Sequence, residues 1–144
     1  MKGYADTGFV VSLYKTETTS AAAAKAMKKL LPPVWLSPLC ELELCNAFHL
    51  AVFRGELTTG AAAQKRRLFL DDAANGIFVV QPVATPALYA KAIELADRHS
   101  ARLGSRSLDL MHVAAALLLG AERFLSFDER PRKVAKAEGL KVGL

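Results

Sequence analysis

The amino-acid sequence predicts an α/β protein, a three-layer α/β/α sandwich built around a mainly parallel sheet. Short apolar segments alternate with longer stretches of helical periodicity along the chain, and these two periods distinguish strands from helices. Parallel neighbours in a sheet need crossover connections, which are usually helical, so the alternation favours a parallel sheet covered on both faces. A length of 144 residues suits one domain, residues 1–144, with a sizeable core.

Five short apolar segments are predicted to form the strands, and helices fill most of the gaps. The strands are expected at residues 3–6, 34–37, 77–81, 123–127 and 140–144. For a helix over residues 39–54, Ser37 followed by Pro38 is a start signal and Gly55 is a stop signal. Thr58 and Gly76 bracket the next predicted helix, and two more are expected at residues 86–99 and 107–119.

Basic side chains outnumber acidic ones. Lys and Arg number 19 against 14 Asp and Glu, a formal net charge of +5, and the sequence pI is about 9.4. Because several of the acids are predicted to converge, the remaining surface should be more basic than the total suggests. We therefore expect an anionic partner.

The apolar content also bears on assembly and location. Hydrophobic residues make up 52% of the chain, more than a small monomer easily hides, so a homodimer is expected. The N-terminus lacks an apolar signal core, and the longest apolar run, residues 113–119, is too short to cross a bilayer. We expect a cytoplasmic protein without membrane contact, in which Cys40 and Cys45 are buried, reduced thiols.

Four acidic residues stand near the ends of predicted elements, each within an apolar stretch. They are Asp6, Glu43, Asp109 and Asp128. A buried carboxylate is costly unless a cation or hydrogen-bond donors compensate it. Ligands of parallel sheets collect beyond the carboxyl ends of the strands, where Asp6 and Asp128 are expected. If the acids converge, each pair at about 5 Å repels by roughly 3 kcal/mol at an effective dielectric of about 20, which predicts a shared divalent cation.

The predicted ligands are hard oxygen atoms without a His or Cys cluster, a set that favours Mg²⁺ or Mn²⁺. Such an ion activates water for in-line attack and stabilises the charge that grows on a phosphate. A basic surface around the acidic centre would hold a nucleic-acid backbone. Arg106, close to Asp109 in sequence, and Arg130, close to Asp128, are the expected phosphate contacts.

The residues beside these acids leave several assignments open. Glu41 and Glu43 lie about 200° apart around a helix, so one of them can face the site, and we choose Glu43. Asn46, one turn later, would orient the Glu43 carboxylate or make a helix-packing hydrogen bond. His112, one turn after Asp109, suits a ligand, a proton carrier or a satisfied core imidazole, and the core role is favoured.

Three of the four predicted acids are expected at the start of a helix. Ser107 is expected to cap the helix that carries Asp109, which would place that carboxylate in the first turn at the positive end of the helix dipole. Asp6 and Asp128 suit N-cap positions as well. Capping and metal binding can coexist in one carboxylate, so neither role excludes the other.

Four motifs follow one another along the chain, and together they carry a resemblance. They are YADT at residues 4–7, ELELCNA at 41–47, SLDLMHVAAA at 107–116 and FLSFDER at 124–130. Their order and spacing resemble PIN-domain ribonucleases, among them the VapC toxins of bacterial and archaeal toxin–antitoxin pairs. The resemblance spans nearly the whole chain. It implies a PIN-like fold in which the four acids form the metal site and the hydroxyls of Thr7 and Ser126 help to order it.

The resemblance also implies an activity and partners. It indicates Mg²⁺- or Mn²⁺-dependent endonucleolytic cleavage of RNA, often tRNA or rRNA, that leaves a 3′-hydroxyl and a 5′-phosphate. Arg106 and Arg130, the predicted phosphate contacts, would bind this RNA. A homodimer and inhibition by a small antitoxin protein come with the family. Two alternatives stay open: a catalytically inactive PIN-like module that binds RNA or a protein partner, and a structure-specific DNA nuclease.

Overall fold

The sheet has the predicted parallel arrangement. The computed structural model describes residues 2–144. The strands in that range are β1 (Gly3–Ala5), β2 (Val34–Leu36), β3 (Phe78–Val80) and β4 (Arg123–Leu125). All of them run parallel in the order β3-β2-β1-β4, so β1 lies between β2 and β4. Tyr4 of β1 is in register with Trp35 and Phe124 on the two neighbouring strands.

Helices connect the strands and cover both faces of the sheet. Over residues 2–144 they are α1 (Thr7–Tyr14), α2 (Ser20–Lys28), α3 (Pro38–Phe53), α4 (Thr59–Ala74), α5 (Thr85–Leu103), α6 (Ser107–Leu118) and α7 (Glu129–Ala137). Consecutive strand residues point to opposite faces. Leu36 and the strand residues that share its face therefore pack with helices α1, α2, α3 and α4 in one hydrophobic core. Tyr4 and Phe124 face the other side and pack with α5, α6 and α7 in a second core. The α/β/α sandwich is thus confirmed.

The fifth predicted strand, residues 140–144, is wrong. Lys141 makes an isolated parallel bridge with Arg123, and no strand forms in this segment. The chain leaves α7 through Gly139, which has a φ of 89°. The N–H of Leu140 then donates to the carbonyl of Ala135 at 3.0 Å, so this residue completes the helix end. One residue remains in register with β4, too few for a strand.

Three connections place polar side chains at the carboxyl edge of the sheet. Asp6 follows β1 and caps α1. Ser37 follows β2 and caps α3, where its Oγ accepts from the N–H of Cys40 at 3.3 Å. Ser126 follows β4, and its Oγ accepts from the N–H of Asp128 at 3.0 Å. Because β2, β1 and β4 are adjacent and parallel, these side chains meet at one edge.

The two cysteines of α3 differ in their burial. Both thiols are free, and Cys40 is buried as predicted. The expectation that Cys45 is buried as well is wrong: it is half-buried, and Arg66 Nη1 donates to its Sγ at 3.1 Å. The two thiols point in different directions from α3, and that of Cys40 points into the core. Within residues 2–144, no helix combines the length and the apolar character that crossing a membrane requires.

Candidate active site

A cleft of about 760 Å³ opens at the carboxyl edge of the sheet, and all four predicted acids line it. They reach it from different elements: Asp6 from the end of β1, Glu43 from α3, Asp109 from α6 and Asp128 from the start of α7. Asp6 and Asp109 are buried, at 7% and 8% exposure. Glu43 is half-buried and Asp128 is exposed. Residues far apart in sequence thus share one cavity.

Asp6 serves as the N-cap of α1. Its Oδ1 accepts from the N–H of Phe9 at 2.9 Å, which satisfies one of the free donors at the helix start. Burial raises the pKa of Asp6, against the opposing effects of the Ser126 hydroxyl and the Phe9 N–H. Two donors therefore compensate this charge incompletely, and a cation would complete the compensation.

Glu43 is held by two side chains on other elements. Thr7 Oγ1 donates to Glu43 Oε1 at 2.8 Å, and His112 Nε2 lies 2.7 Å from the same oxygen. Desolvation raises the pKa of Glu43, but the hydrogen bonds from His112 and Thr7 outweigh it and bring the pKa below its usual range. Asn46, predicted to orient this carboxylate, is exposed on α3. Thr7 and His112 make the side-chain hydrogen bonds to Glu43 described above.

Arg106 joins two of the acids. Its Nε donates to Asp109 Oδ2 at 3.0 Å, and its Nη2 donates to Asp128 Oδ2 at 3.1 Å. These contacts raise the pKa of the guanidinium, so Arg106 stays charged. It is also the N-cap residue of α6, without a side-chain cap bond. The prediction that Ser107 caps this helix is therefore wrong, because Ser107 is already the first helical residue, although Asp109 does lie in the first turn.

The turn between β4 and α7 places the remaining predicted residues. Asp128 caps α7, with its Oδ1 accepting from the N–H of Arg130 at 3.0 Å. Ser126 is fully buried and accepts from the Asp128 N–H, so it fixes this turn. The Arg130 side chain is exposed at the start of α7, next to the cleft rather than in its lining.

His112 is the residue that the sequence analysis did not place among the site residues. It lines the cleft and is buried at 5% exposure. Its Nδ1 lies 2.7 Å from the hydroxyl of Tyr4, which in turn donates to Ser37 Oγ at 2.9 Å. The core role that the sequence favoured accounts for the contact of His112 with Tyr4 but not for its contact with Glu43. The spacing from Asp109 put His112 on the right helix face, but its partners Tyr4 and Glu43 are distant in sequence.

The donor set in the cleft suits a hard divalent cation. The acids supply oxygen ligands, and both protein bonds to Glu43 reach Oε1, which leaves Oε2 for another ligand. Across the described residues 2–144, no group of three or more His, Cys, Asp or Glu side chains is already arranged to hold a metal. Unneutralised carboxylates repel one another, and Arg106 compensates Asp109 and Asp128 in part. Metal binding would bring the acids closer together, and the cation would share Asp109 and Asp128 with Arg106, which donates to both.

A sequence model described as PIN domain matches residues 4–137. The chain therefore belongs to the PIN-domain family, and the resemblance seen in its motifs is confirmed. A comparison with curated protein sequences finds no significant match.

Solved structures share this fold at low sequence identity. Mycobacterium tuberculosis VapC20, described as a Sarcin-Ricin loop cleaving toxin, is similar with a TM-score of 0.69 and 20% identity, over 98% of this chain and 98% of that one. FitAcB from Neisseria gonorrhoeae gives a TM-score of 0.63 and 18% identity, over 98% and 96%. A toxin–antitoxin complex from Klebsiella pneumoniae gives 0.63 and 14%, over 90% and 89%. At these identities the likeness establishes the fold.

Proposed function

We propose that this protein is a metal-dependent endoribonuclease and the toxin of a VapBC-type toxin–antitoxin pair. One observation carries the proposal: within a PIN fold, four acids from four separate parts of the chain line one cleft at the carboxyl edge of the sheet. The burial of Asp6 and Asp109 adds support, because a chain rarely buries carboxylates without a compensating charge. Similar structures include a toxin that cleaves the Sarcin-Ricin loop and a toxin–antitoxin complex.

Each acid has a role in this proposal. Asp6, Glu43, Asp109 and Asp128 would hold Mg²⁺ or Mn²⁺. The bound ion would activate water for attack on the phosphodiester and neutralise the charge that develops there. His112 and Thr7 hold Glu43 Oε1 and favour the ionised form of this side chain, and Ser126 fixes the turn that carries Asp128.

The basic residues would hold the RNA. A guanidinium recognises carboxylate and phosphate with the same paired donors. Arg106 could therefore pass from Asp109 and Asp128 to the phosphate when the acids take up the cation. Arg130, exposed beside the cleft, would bind the neighbouring backbone. The substrate would be a structured RNA such as tRNA or rRNA, cut to a 3′-hydroxyl and a 5′-phosphate.

Exposed apolar side chains support the proposed protein partners, a cognate antitoxin and a second copy of the chain. Phe53 on α3 is 88% exposed. Other large apolar residues exposed at the surface include Leu31, Leu42, Tyr89 and Ile93. Where such residues form one contiguous patch, they mark a site of protein association.

Substitution of two buried acids tests the proposed function. We expect Asp6→Asn and Asp109→Asn each to abolish cleavage of purified tRNA and rRNA, because each removes a metal ligand while keeping side-chain size. The measurement is gel analysis of RNA with Mg²⁺ or Mn²⁺, with EDTA as the metal-free reference. Asp97→Asn, an exposed acid on α5, is the matched control and should cleave like the wild type.

Each failure of this test has its own meaning. Cleavage retained in both variants, or unaffected by EDTA, would overturn the proposed site. RNA binding without cleavage by the wild type would favour the inactive binding module. Cleavage of branched or flapped DNA in place of RNA would favour the structure-specific DNA nuclease.

A further inference from the structure

A chain of hydrogen bonds runs from the core beneath the sheet to the cleft. Tyr4 is fully buried and stacks on Phe124 at 5.9 Å between ring centroids. Its hydroxyl contacts Ser37 Oγ at 2.9 Å and His112 Nδ1 at 2.7 Å. The other nitrogen of His112 contacts Glu43 Oε1 at 2.7 Å. The two ends of this chain differ, since one is rigid core and the other is a half-buried carboxylate.

The direction of the last bond follows from the chemistry of Glu43. An ionised carboxylate accepts hydrogen bonds and cannot donate them, so His112 Nε2 must carry a proton. Thr7 Oγ1 donates to the same oxygen at 2.8 Å, so Glu43 Oε1 has two partners. On the other side, the hydroxyl of the fully buried Tyr4 lies 2.7 Å from His112 Nδ1. Both ring nitrogens of His112 are thus occupied by fixed partners.

We propose that His112 is a positioning residue, which holds the Glu43 carboxylate ready for a divalent cation and is itself held by Tyr4. The inference rests on the proposed function, which assigns Glu43 as a metal ligand. Glu43 is the residue of α3 that lines the cleft, and a free glutamate side chain samples many rotamers. With Oε1 taken by His112 and Thr7, its orientation is set before a cation arrives, which lowers the entropic cost of binding.

The same pairings occur elsewhere in the molecule and supply matched controls. His99 on α5 is buried and lies 2.6 Å from Glu138 Oε2. Tyr14 on α1 donates to Asp72 Oδ2 at 2.5 Å. Neither pair lines the acidic cleft. Removing His99 or the Tyr14 hydroxyl therefore reproduces the loss of a buried bond to a carboxylate without touching Glu43.

The test is Mn²⁺ binding to the full-length protein, followed by calorimetry and by the electron paramagnetic resonance signal of free Mn²⁺. His112→Leu should weaken Mn²⁺ affinity by roughly 10–100-fold, the usual effect of losing a residue that supports a metal ligand. His112→Gln, whose amide can donate to Glu43, should recover most of this loss. Tyr4→Phe should weaken affinity less than His112→Leu. His99→Leu and Tyr14→Phe should stay within about twofold of the wild type.

RNA cleavage provides a second readout. For His112→Leu, saturating Mn²⁺ should restore most of kcat and leave the KM for RNA unchanged, because the residue acts through the metal ligand. Wild-type Mn²⁺ affinity in His112→Leu, with a native circular dichroism spectrum, would overturn the inference and leave the proposed function standing. If His112→Leu does not fold, equal weakening by His112→Gln and His99→Leu would overturn it. A wild type that binds no Mn²⁺ would overturn the proposed function itself.

Discussion

Asp6 holds a charge at a position where a charge is costly. The side chain is buried, and burial raises its pKa above the usual range for an aspartate even though Phe9 N–H and the Ser126 hydroxyl stabilise the ionised form. The folded state therefore binds the Asp6 proton more tightly than the unfolded state does. Above the folded pKa the carboxylate is ionised in both states and opposes folding. Below the unfolded pKa it is protonated in both, and the opposition disappears.

Because the pKa of Asp6 is raised in the folded state, the stability of Asp6→Asn in the absence of metal can be predicted. We expect the variant to raise the free energy of unfolding at pH 7 to 8 by on the order of 1 kcal/mol, because asparagine keeps the cap bond to Phe9 without the charge. The gain should shrink as the pH falls to the ordinary aspartate pKa of about 3.9. Urea unfolding in EDTA across this range measures it. A gain that grows on acidification, or one equalled by Asp97→Asn, would contradict the explanation.

Spacing along the chain could identify the acids but not all of their partners. Asp6, Glu43, Asp109 and Asp128 stand out because each interrupts an apolar stretch at the end of an element. His112 was harder to assign, since its bonds to Tyr4 and Glu43 span 108 and 69 residues of sequence. The role of Asn46 stays a prediction: the residue lies one turn from Glu43 on α3, and its side chain is exposed.

Helix starts and strand ends show what local sequence does and does not fix. Ser37 and Thr58 cap α3 and α4 as their sequence context indicates, because a side-chain oxygen can reach a free N–H two or three residues on. Ser107 fails as a cap because the chain enters α6 one residue earlier, with Arg106 folded back onto Asp109. The last strand ends at Leu125, short of the predicted position 127, since Ser126 turns away to accept from Asp128.

The helix caps Ser37 and Thr58 give a prediction at the scale of the helix. Thr58→Ala should lower the free energy of unfolding by about 1 kcal/mol, the usual value of a lost N-cap, and leave Mn²⁺ affinity unchanged. Ser37→Ala should cost more, because Ser37 also accepts from Tyr4, and it should weaken Mn²⁺ binding through that residue. Urea unfolding and calorimetry measure both quantities. If Ser37→Ala and Thr58→Ala had equal effects on stability and equal effects on Mn²⁺ affinity, Ser37 would not belong to the hydrogen-bond network of Tyr4 and His112.

At the scale of the whole molecule, charge is divided between two regions. The chain carries a net charge of +5, yet four acids face one cleft. The acidic cleft can hold cations and the basic remainder can hold a polyanion. Arg106 stands at the boundary and pairs with Asp109 and Asp128. Arg130 lies near it but makes no side-chain ion pair among the described residues.

Arg106 has ion-pair partners in the cleft and Arg130 has none among the described residues, so the two arginines should respond differently to substitution. Arg106→Ala should raise Mn²⁺ affinity, because the cation no longer competes with a guanidinium for Asp109 and Asp128. Arg130→Ala should leave Mn²⁺ affinity unchanged. Both should weaken RNA binding in a cleavage-deficient Asp6→Asn background. Each should also reduce the slope of log affinity against log salt by about 0.7, the contribution of one phosphate contact to single-stranded nucleic acid.

Arg98→Ala is the control for both measurements, since Arg98 lies on α5 and pairs with Glu94 and Glu138 outside the cleft. Fluorescence anisotropy of labelled RNA over a series of salt concentrations gives the slopes. If both slopes match that of Arg98→Ala, the RNA binds elsewhere on the basic surface. If Arg106→Ala leaves Mn²⁺ affinity unchanged, the guanidinium does not compete with the metal, because removing a competing positive charge from two of the proposed metal ligands must strengthen binding.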